Sequence, residues 1–146
     1  MQLEKIKLIH TGDIHLGLQF KNTNFKSSFA NQRRLEIWDT FEKIIERCYE
    51  KSTDILLIAG DLFEEEYFTI SDIKRLESNF EKIKDTKVVV IGGNHDPINK
   101  SSLYHSINWP KNVHIIKENY LTKIEFKDIN TVIWGLSWGK KEEREN

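Results

Sequence analysis

The sequence predicts an α/β domain in which βαβ units build a parallel sheet. Three short apolar runs, near residues 6–10, 54–59 and 87–91, are each followed by a turn that contains glycine, and two long segments with helical periodicity separate them. Short apolar runs bounded by glycine are typical of strands buried on both faces, and strands that alternate with helices form parallel sheets. The length of 146 residues predicts a single domain over residues 1–146.

The first half of the chain supplies two strands and one long helix. A strand is predicted over Ile6–His10, because the turn-forming residues Gly12 and Asp13 follow it. The segment Phe29–Glu50 contains no Gly or Pro, which predicts one long helix. The second strand is predicted over Asp54–Ala59. The apolar stripe of the helix recurs at three- and four-residue steps and consists of Leu35, Trp38, Phe41, Ile45 and Cys48 or Tyr49.

The second half begins with another helix and strand. Thr69 and Asp72 resemble a capping box, and the helix that they start is predicted to run to about Lys84. The β-branched run Lys87–Ile91 predicts a third strand. The shorter elements predicted beyond it are a helix near Ser101–Ser106, a strand near Val113–Ile116, and a hairpin of Leu121–Phe126 with Thr131–Leu136.

Charge and composition exclude several classes of protein. The 22 basic and 23 acidic residues give a net charge of −1, so no global basic field drives nonspecific binding to DNA. A single cysteine, Cys48, excludes an internal disulfide framework, and we expect it to be a buried thiol. The start of the chain lacks the apolar core of a signal peptide, and no apolar run is long enough to span a bilayer. We therefore expect a soluble, cytoplasmic protein without membrane contact.

Metal-type ligands follow all three predicted strands. The three motifs are Asp13-Ile14-His15, Gly60-Asp61 and Gly93-Asn94-His95-Asp96. Ligands of parallel sheets bind outside the carboxyl ends of the strands, so we expect these side chains to meet at one edge. Carboxylate, amide and imidazole groups are the donors expected around Mn, Fe or Zn ions that act on phosphate esters. The sequence thus predicts a metal site at this edge.

A pair of metal ions suits the hydrolysis of a phosphodiester. Such ions neutralise the phosphate and lower the pKa of a bound water. We expect Asp61 to bridge the two ions and Asn94 to bind one of them. Asp13 and His15 are expected to complete the shell of the other ion.

The remaining polar residues of these motifs are given other roles. His95 is free to stabilise the leaving oxygen as a proton donor, and Asp96 is expected to orient its ring.

We expect His10 to hydrogen-bond within the core. The acidic run at residues 64–66 is interpreted as a solvated loop, with substrate steering as the alternative. Among the late aromatic residues, packing is favoured over stacking on bases for Trp109, Trp134 and Trp138.

These motifs carry a resemblance to a known family. The stretches 13–17, 60–63 and 93–96 look like the first three signature blocks of the calcineurin-like metallophosphoesterases. The phrase Leu56-Leu57-Ile58-Ala59-Gly60-Asp61-Leu62-Phe63 is similar to the DNA repair exonuclease branch, the SbcD and meiotic recombination nuclease type. The resemblance implies a calcineurin-like metallophosphoesterase fold and a divalent metal, foremost Mn, with Fe or Zn as alternatives. It also implies DNA as the substrate and an SMC-like coiled-coil ATPase as a partner.

The chain departs from this family downstream. Calcineurin-like enzymes carry a lone His and a Gly-His-x-His block that complete both metal shells, and neither block is found here. His105 and His114 are not paired or preceded by Gly, so we expect ordinary surface or loop roles for them. The expected consequences are an incomplete dinuclear site, an amino-terminal portion of a larger fold, and an exposed sheet edge that invites a homodimer.

Three functions remain open on the sequence alone. The favoured one is a metal-dependent phosphoesterase that cuts phosphodiesters with a metal-activated water. The first alternative is a catalytically impaired or inactive fragment that serves as a binding or assembly module, for which the missing histidines argue. The second is a small-molecule phosphatase or phosphodiesterase of the same superfamily.

Overall fold

The computed structural model describes residues 4–20 and 26–140. Its main sheet contains four parallel strands, β1 (Leu8–Thr11), β2 (Ile55–Ala59), β3 (Lys87–Ile91) and β4 (Val113–Ile116), in the order β1-β2-β3-β4. The helices are α1 (Ser27–Glu50) and α2 (Ile70–Lys82). A separate antiparallel pair is formed by β5 (Thr122–Phe126) and β6 (Thr131–Gly135). Residues 1–3, part of the start that we interpret as lacking a signal peptide, lie outside the described residues.

The α/β class and the parallel βαβ arrangement are confirmed. Each of β1, β2 and β3 pairs in parallel with the next strand in the chain. All four strands of the sheet therefore end at the same edge, where the loops that follow β1, β2 and β3 carry the three motifs.

The face of helix α1 that packs into the core is narrower than the apolar stripe predicted from the sequence. Trp38, Phe41, Ile45 and Cys48 are buried, whereas Leu35 is 62% and Tyr49 is 72% exposed. The assignment of Leu35 to the apolar stripe is wrong, and of the two alternatives Cys48 and Tyr49 it is Cys48 that is buried. Leu35 lies about 100° around the helix from the centre of the buried face, and Tyr49 falls in the last turn.

Helix α2 begins at the capping box that its sequence predicts. Thr69 Oγ1 accepts a hydrogen bond from the Asp72 N–H at 3.2 Å, and Asp72 Oδ2 accepts one from the Thr69 N–H at 2.9 Å. Bidentate hydrogen bonds of 2.7 and 2.9 Å from Arg75 to Glu42 join α2 to α1. The apolar faces of both helices pack on one face of the sheet, where they join the larger core cluster.

The hairpin of β5 and β6 covers the other face of the sheet. Val89, Ile116 and Phe126 form its small buried cluster, against which Ile124 and Ile133 pack. The predicted helix near Ser101–Ser106 is only a single 3₁₀ turn over Leu103–His105. Within residues 4–20 and 26–140, neither helix is long and apolar enough to cross a membrane.

Candidate metal centre

The first two motifs lie side by side because their loops continue the parallel pairing of β1 with β2. The Asp13 N–H donates to the Gly60 carbonyl at 3.1 Å, and the His15 N–H donates to the Asp61 carbonyl at 2.9 Å. Main-chain hydrogen bonds, rather than side-chain contacts alone, thus bring the candidate ligands of the two loops together.

Three candidate ligands adopt a strained backbone conformation. The φ angles of Asp13, His15 and Asp61 are 52°, 55° and 52°, in the left-handed region that residues other than glycine rarely occupy. Each such residue costs of order 1–3 kcal/mol, and this strain is typical of functional sites whose surroundings hold the backbone in place. The strain favours a functional role for these two loops.

His15, Asp61 and His95 form the centre of the candidate site. Each offers a ligand atom, and these atoms all lie within 4.8 Å of one another. The centroids of the two imidazole rings lie 4.9 Å apart in an edge-to-face arrangement. The main-chain N–H of His95 donates to Asp61 Oδ1 at 2.9 Å. Two imidazoles and one carboxylate are a donor set that fits Mn, Fe or Zn. His95 thus lies close enough to the other two either to bind the same metal or, as the sequence predicts, to act on a substrate held there.

Gly93 allows the third loop to approach Asp61. A Cβ atom at position 93 would lie 2.2 Å from Asp61 Oδ1, far inside any permitted contact. At position 60 the φ angle is +84°, and a Cβ there would lie 3.1 Å from Gly93 Cα. The glycines of the second and third motifs thus place the carboxylate of Asp61 against the backbone that carries His95.

Glu64 holds both histidine rings and corrects the interpretation of the acidic run. It is 8% exposed, and its carboxylate lies 2.8 Å from His15 Nδ1 and 2.9 Å from His95 Nδ1. A carboxylate accepts hydrogen bonds, which assigns a hydrogen to Nδ1 of both rings. Nε2 of each ring is then free to bind a metal or to exchange a proton with a substrate. The interpretation of Glu64 as part of a solvated loop is wrong, because its main chain follows the buried pairing of the first two loops.

Asp13 and Asn94 lie at the border of this centre. Asp13 Oδ1 is 3.8 Å from His15 Nε2, and its side chain is 82% exposed. Asn94 is exposed and lines the same cleft of about 410 Å³ as Asp13 and Asp61. The structure thus brings all four expected metal ligands to one edge of the sheet, with His15 and Asp61 at the centre and the other two at the rim.

Asp96 is a buried anchor of the loops and does not orient the ring of His95. Its oxygens accept hydrogen bonds from the N–H groups of Asp61 and Leu62, both at 2.9 Å, and of Gly93 at 2.7 Å. The Tyr104 hydroxyl donates a fourth at 2.7 Å. Burial raises the pKa of Asp96 to about 6, against the opposing effect of these hydrogen bonds. The expected contact with the His95 ring is replaced by the contact of that ring with Glu64.

The other histidines lie outside the centre. His10 is exposed on β1, at an edge of the sheet, so its expected hydrogen bonding within the core is wrong. His105 is exposed and contacts the Asn99 carbonyl through Nε2 at 2.9 Å. His114 lies on β4 with its ring 5.0 Å from that of Phe126. Neither His105 nor His114 joins the candidate ligands, as expected.

The roles of two residues of the site are not predicted from the sequence. Glu64 belongs to an acidic run that resembles an ordinary solvated loop. Its position three residues after Asp61 is the feature that links it to the site. Tyr104, which is 2% exposed, lies eight residues beyond its partner Asp96 and falls in no motif. Glu64 acts through contacts with loops 49 and 31 residues away, and a pattern along the chain does not reveal such contacts.

Comparison with known proteins agrees with this geometry. The sequence profile described as "Calcineurin-like phosphoesterase" matches residues 6–142. The chain is also similar to a protein of Bacillus subtilis (strain 168) named "Uncharacterized metallophosphoesterase YhaO", with 30% identity over 125 residues. That match covers 77% of this chain and 28% of the relative, so the chain spans under a third of the relative's length. The profile covers the whole main sheet, both helices and the three motifs, and the chain belongs to the calcineurin-like phosphoesterase family.

Proposed function

We propose that the chain is a metal-dependent phosphoesterase that hydrolyses phosphodiester bonds. The observation that carries the proposal is the cluster of His15, Asp61 and His95 at the carboxyl edge of the sheet. The family supports hydrolysis of phosphoesters. We propose DNA as the substrate on the resemblance of residues 56–63 to the DNA repair exonucleases, since the name of the relative specifies no substrate.

The charge of the cleft explains why a cation is needed. The charged groups that line it, among the described residues, are the carboxylates of Asp13 and Asp61. These would repel a phosphate in the absence of a positive ion. In the proposal His15 and Asp61 hold a divalent metal, foremost Mn, with Asp13 and Asn94 completing its shell from the rim. A bound metal would supply positive charge to the phosphate oxygens and acidify a water molecule.

His95 acts on the substrate in this proposal. Glu64 accepts the hydrogen of His95 Nδ1 and so orients the ring. The main-chain N–H of His95 donates to Asp61 Oδ1, which sets the position of residue 95 relative to the Asp61 carboxylate. When protonated at Nε2, the ring can donate to the oxygen of the leaving alcohol. Its side chain is 41% exposed, which leaves room for a substrate to reach it.

Hydrolysis of bis-p-nitrophenyl phosphate with added Mn tests the proposal. We expect turnover by the wild-type chain and a loss of about 100-fold or more in kcat for His95→Ala, the range of general acid catalysis. His105→Ala is the matched control, because this exposed histidine lies outside the cluster. Equal rates for the His95 variant and the wild type would overturn the enzyme proposal.

The same proteins then distinguish the substrates. Release of nucleotides from a labelled DNA duplex by the wild type, lost in His95→Ala, is expected if DNA is the substrate. Activity on phosphate monoesters without any on DNA would assign the chain to the small-molecule phosphatases of the family instead.

A further inference from the structure

The cleft that Asp61 of the metal centre lines has both polar and apolar side chains in its lining. Asp13, Asp61 and Asn94 are the polar ones. Leu121, Leu136 and Trp138 supply an apolar surface, which we name the apolar wall. This wall belongs to the segments just before β5 and just after β6, so the hairpin brings an apolar surface to the strand ends.

The main chain of Trp138 is fixed to the third motif. Its N–H donates to the Gly92 carbonyl at 3.0 Å, and its carbonyl accepts from the Ile98 N–H at 2.8 Å. These two partners flank the loop that carries Asn94 and His95. The position of Trp138 is therefore set by the same loop that builds the metal centre.

Ser137 strengthens this attachment. It is 1% exposed, and its Oγ accepts a hydrogen bond from the Gly92 N–H at 2.9 Å. The same hydroxyl donates to the Ile116 carbonyl at the end of β4. A buried, fully partnered serine holds Trp138 in one position relative to the sheet.

The apolar wall remains exposed to the cleft. Trp138 and Leu136 are each 43% exposed, and Leu121 is 62% exposed. An apolar surface that faces a charged centre is suited to a ligand with both characters, because its flat apolar part can leave water while its charged part meets the ions. For a phosphoester, the planar part that an indole ring recognises by stacking is a nucleobase.

We propose that Trp138 stacks on the base of a nucleoside phosphate whose phosphate lies at the metal centre. The inference rests on the proposed function, since it takes the position of the phosphate from it. It assigns to Trp138 the selection of substrates that carry a base, and it replaces the expectation that this residue serves only in packing. Trp109, by contrast, does pack, with its rings 5.5 Å from Tyr104 and its Nε1 donating to the Tyr104 carbonyl at 2.9 Å.

Trp134 provides a matched control on the same hairpin. It is 60% exposed and lies under the ammonium group of Lys123 at 5.9 Å, but it does not line the cleft. Its replacement removes an exposed indole from β6 without touching the apolar wall.

Binding of two phosphates to the full chain in the presence of Mn tests the inference. We compare thymidine 5′-monophosphate with methyl phosphate by equilibrium dialysis, using the wild type, Trp138→Ala, Trp138→Phe and Trp134→Ala. We expect Trp138→Ala to weaken binding of the nucleotide about tenfold or more and to leave methyl phosphate unchanged. Trp138→Phe should retain most of the affinity, and Trp134→Ala should bind as the wild type does.

The outcomes separate this inference from the proposed function. Equal losses for both phosphates, equal losses in the two alanine variants, or no nucleotide binding by the wild type would overturn the stacking role, even if bis-p-nitrophenyl phosphate is hydrolysed. Binding of the nucleotide that depends on Trp138, without hydrolysis of that diester, would uphold stacking and reject the enzyme proposal. Stronger competition by a thymidine oligonucleotide than by the mononucleotide would assign the surface to a nucleic acid strand, and the reverse order to a free nucleotide.

Discussion

At the scale of single residues, Glu64 controls the geometry of the candidate ligands. One buried carboxylate contacts Nδ1 of His15 and of His95. Groups that hydrogen-bond to ligating histidines fix the ring orientation, and their loss reduces metal affinity by about 10- to 100-fold. We therefore expect Glu64→Ala to weaken Mn binding by this factor in calorimetry. Glu66→Ala, a change of an exposed residue in the same acidic run, should bind Mn as the wild type does, and equal affinities of the two variants would contradict the role of Glu64.

Asp96, a second single residue, stabilises the folded loops through its four hydrogen bonds. Replacement by Asn keeps one oxygen but places an NH₂ group either at Oδ2, where the Leu62 N–H and the Tyr104 hydroxyl now donate, or at Oδ1, where two other N–H groups donate. A buried donor left without an acceptor costs about 1–3 kcal/mol. We expect Asp96→Asn to lower the free energy of unfolding by this amount in urea denaturation. Tyr104→Phe, which removes one donor, should cost less, and an Asp96→Asn variant as stable as the wild type would contradict the anchoring role.

For single residues, the sequence predicts which positions lie at the site but not all of their hydrogen-bond partners. The strand-end positions of Asp13, His15, Asp61 and Asn94 follow from patterns along the chain, because parallel strands bring their carboxyl ends together. The partners of Asp96 do not follow in this way. An Asp beside a His suggests a contact with that His, but the buried N–H groups of the neighbouring loop offer more hydrogen bonds.

At the scale of elements, β4 adds a pH-dependent contribution to stability. Burial, and then the charge of Lys87, lower the pKa of His114 below its ordinary value of 6.5. The unfolded chain therefore binds a proton at this residue more readily than the folded chain does. Stability falls as the pH falls through 6.5 towards the lower pKa of the folded state.

A variant of this strand tests the sign of the effect. His114→Gln removes the titrating group, so the free energy of unfolding should depend less on pH between about 7 and 5 than it does in the wild type. Urea denaturation of the two proteins at several pH values measures the difference. The same pH dependence in both would contradict the assignment to His114.

Elements with regular patterns could be predicted well. The bounds of β3 and β4 agree with the predicted runs because their β-branched, apolar residues leave no competing structure. The 3₁₀ turn at Leu103–His105 could not be distinguished from a short helix, since one turn has too few residues to show a period. In α1 the periodicity predicted the helix but overestimated the width of its buried face, which the sheet beneath determines.

At the scale of the whole molecule, the parallel sheet gathers distant residues into one site. The loops after β1, β2 and β3 are up to 80 residues apart in the sequence, from His15 to His95, and meet within 4.8 Å. The hairpin of β5 and β6 adds the apolar wall from the opposite face of the sheet. The α/β class follows from the order of the apolar runs. The attachment of the hairpin to the third motif, through Ser137 and the main chain of Trp138, is not marked by any pattern in the sequence.

In the proposed phosphoesterase, His15 and Asp61 hold a divalent metal beside His95. Calorimetric titration with Mn tests this assignment most directly on three proteins, the wild type, Asp61→Asn and Asp39→Asn. Asn at position 61 can still accept the His95 N–H, so the loop is expected to persist, and Asp39 is 63% exposed on α1. We expect one ion for each chain in the wild type and in Asp39→Asn, with binding lost in Asp61→Asn. No binding by the wild type, or equal binding by Asp61→Asn, would contradict it.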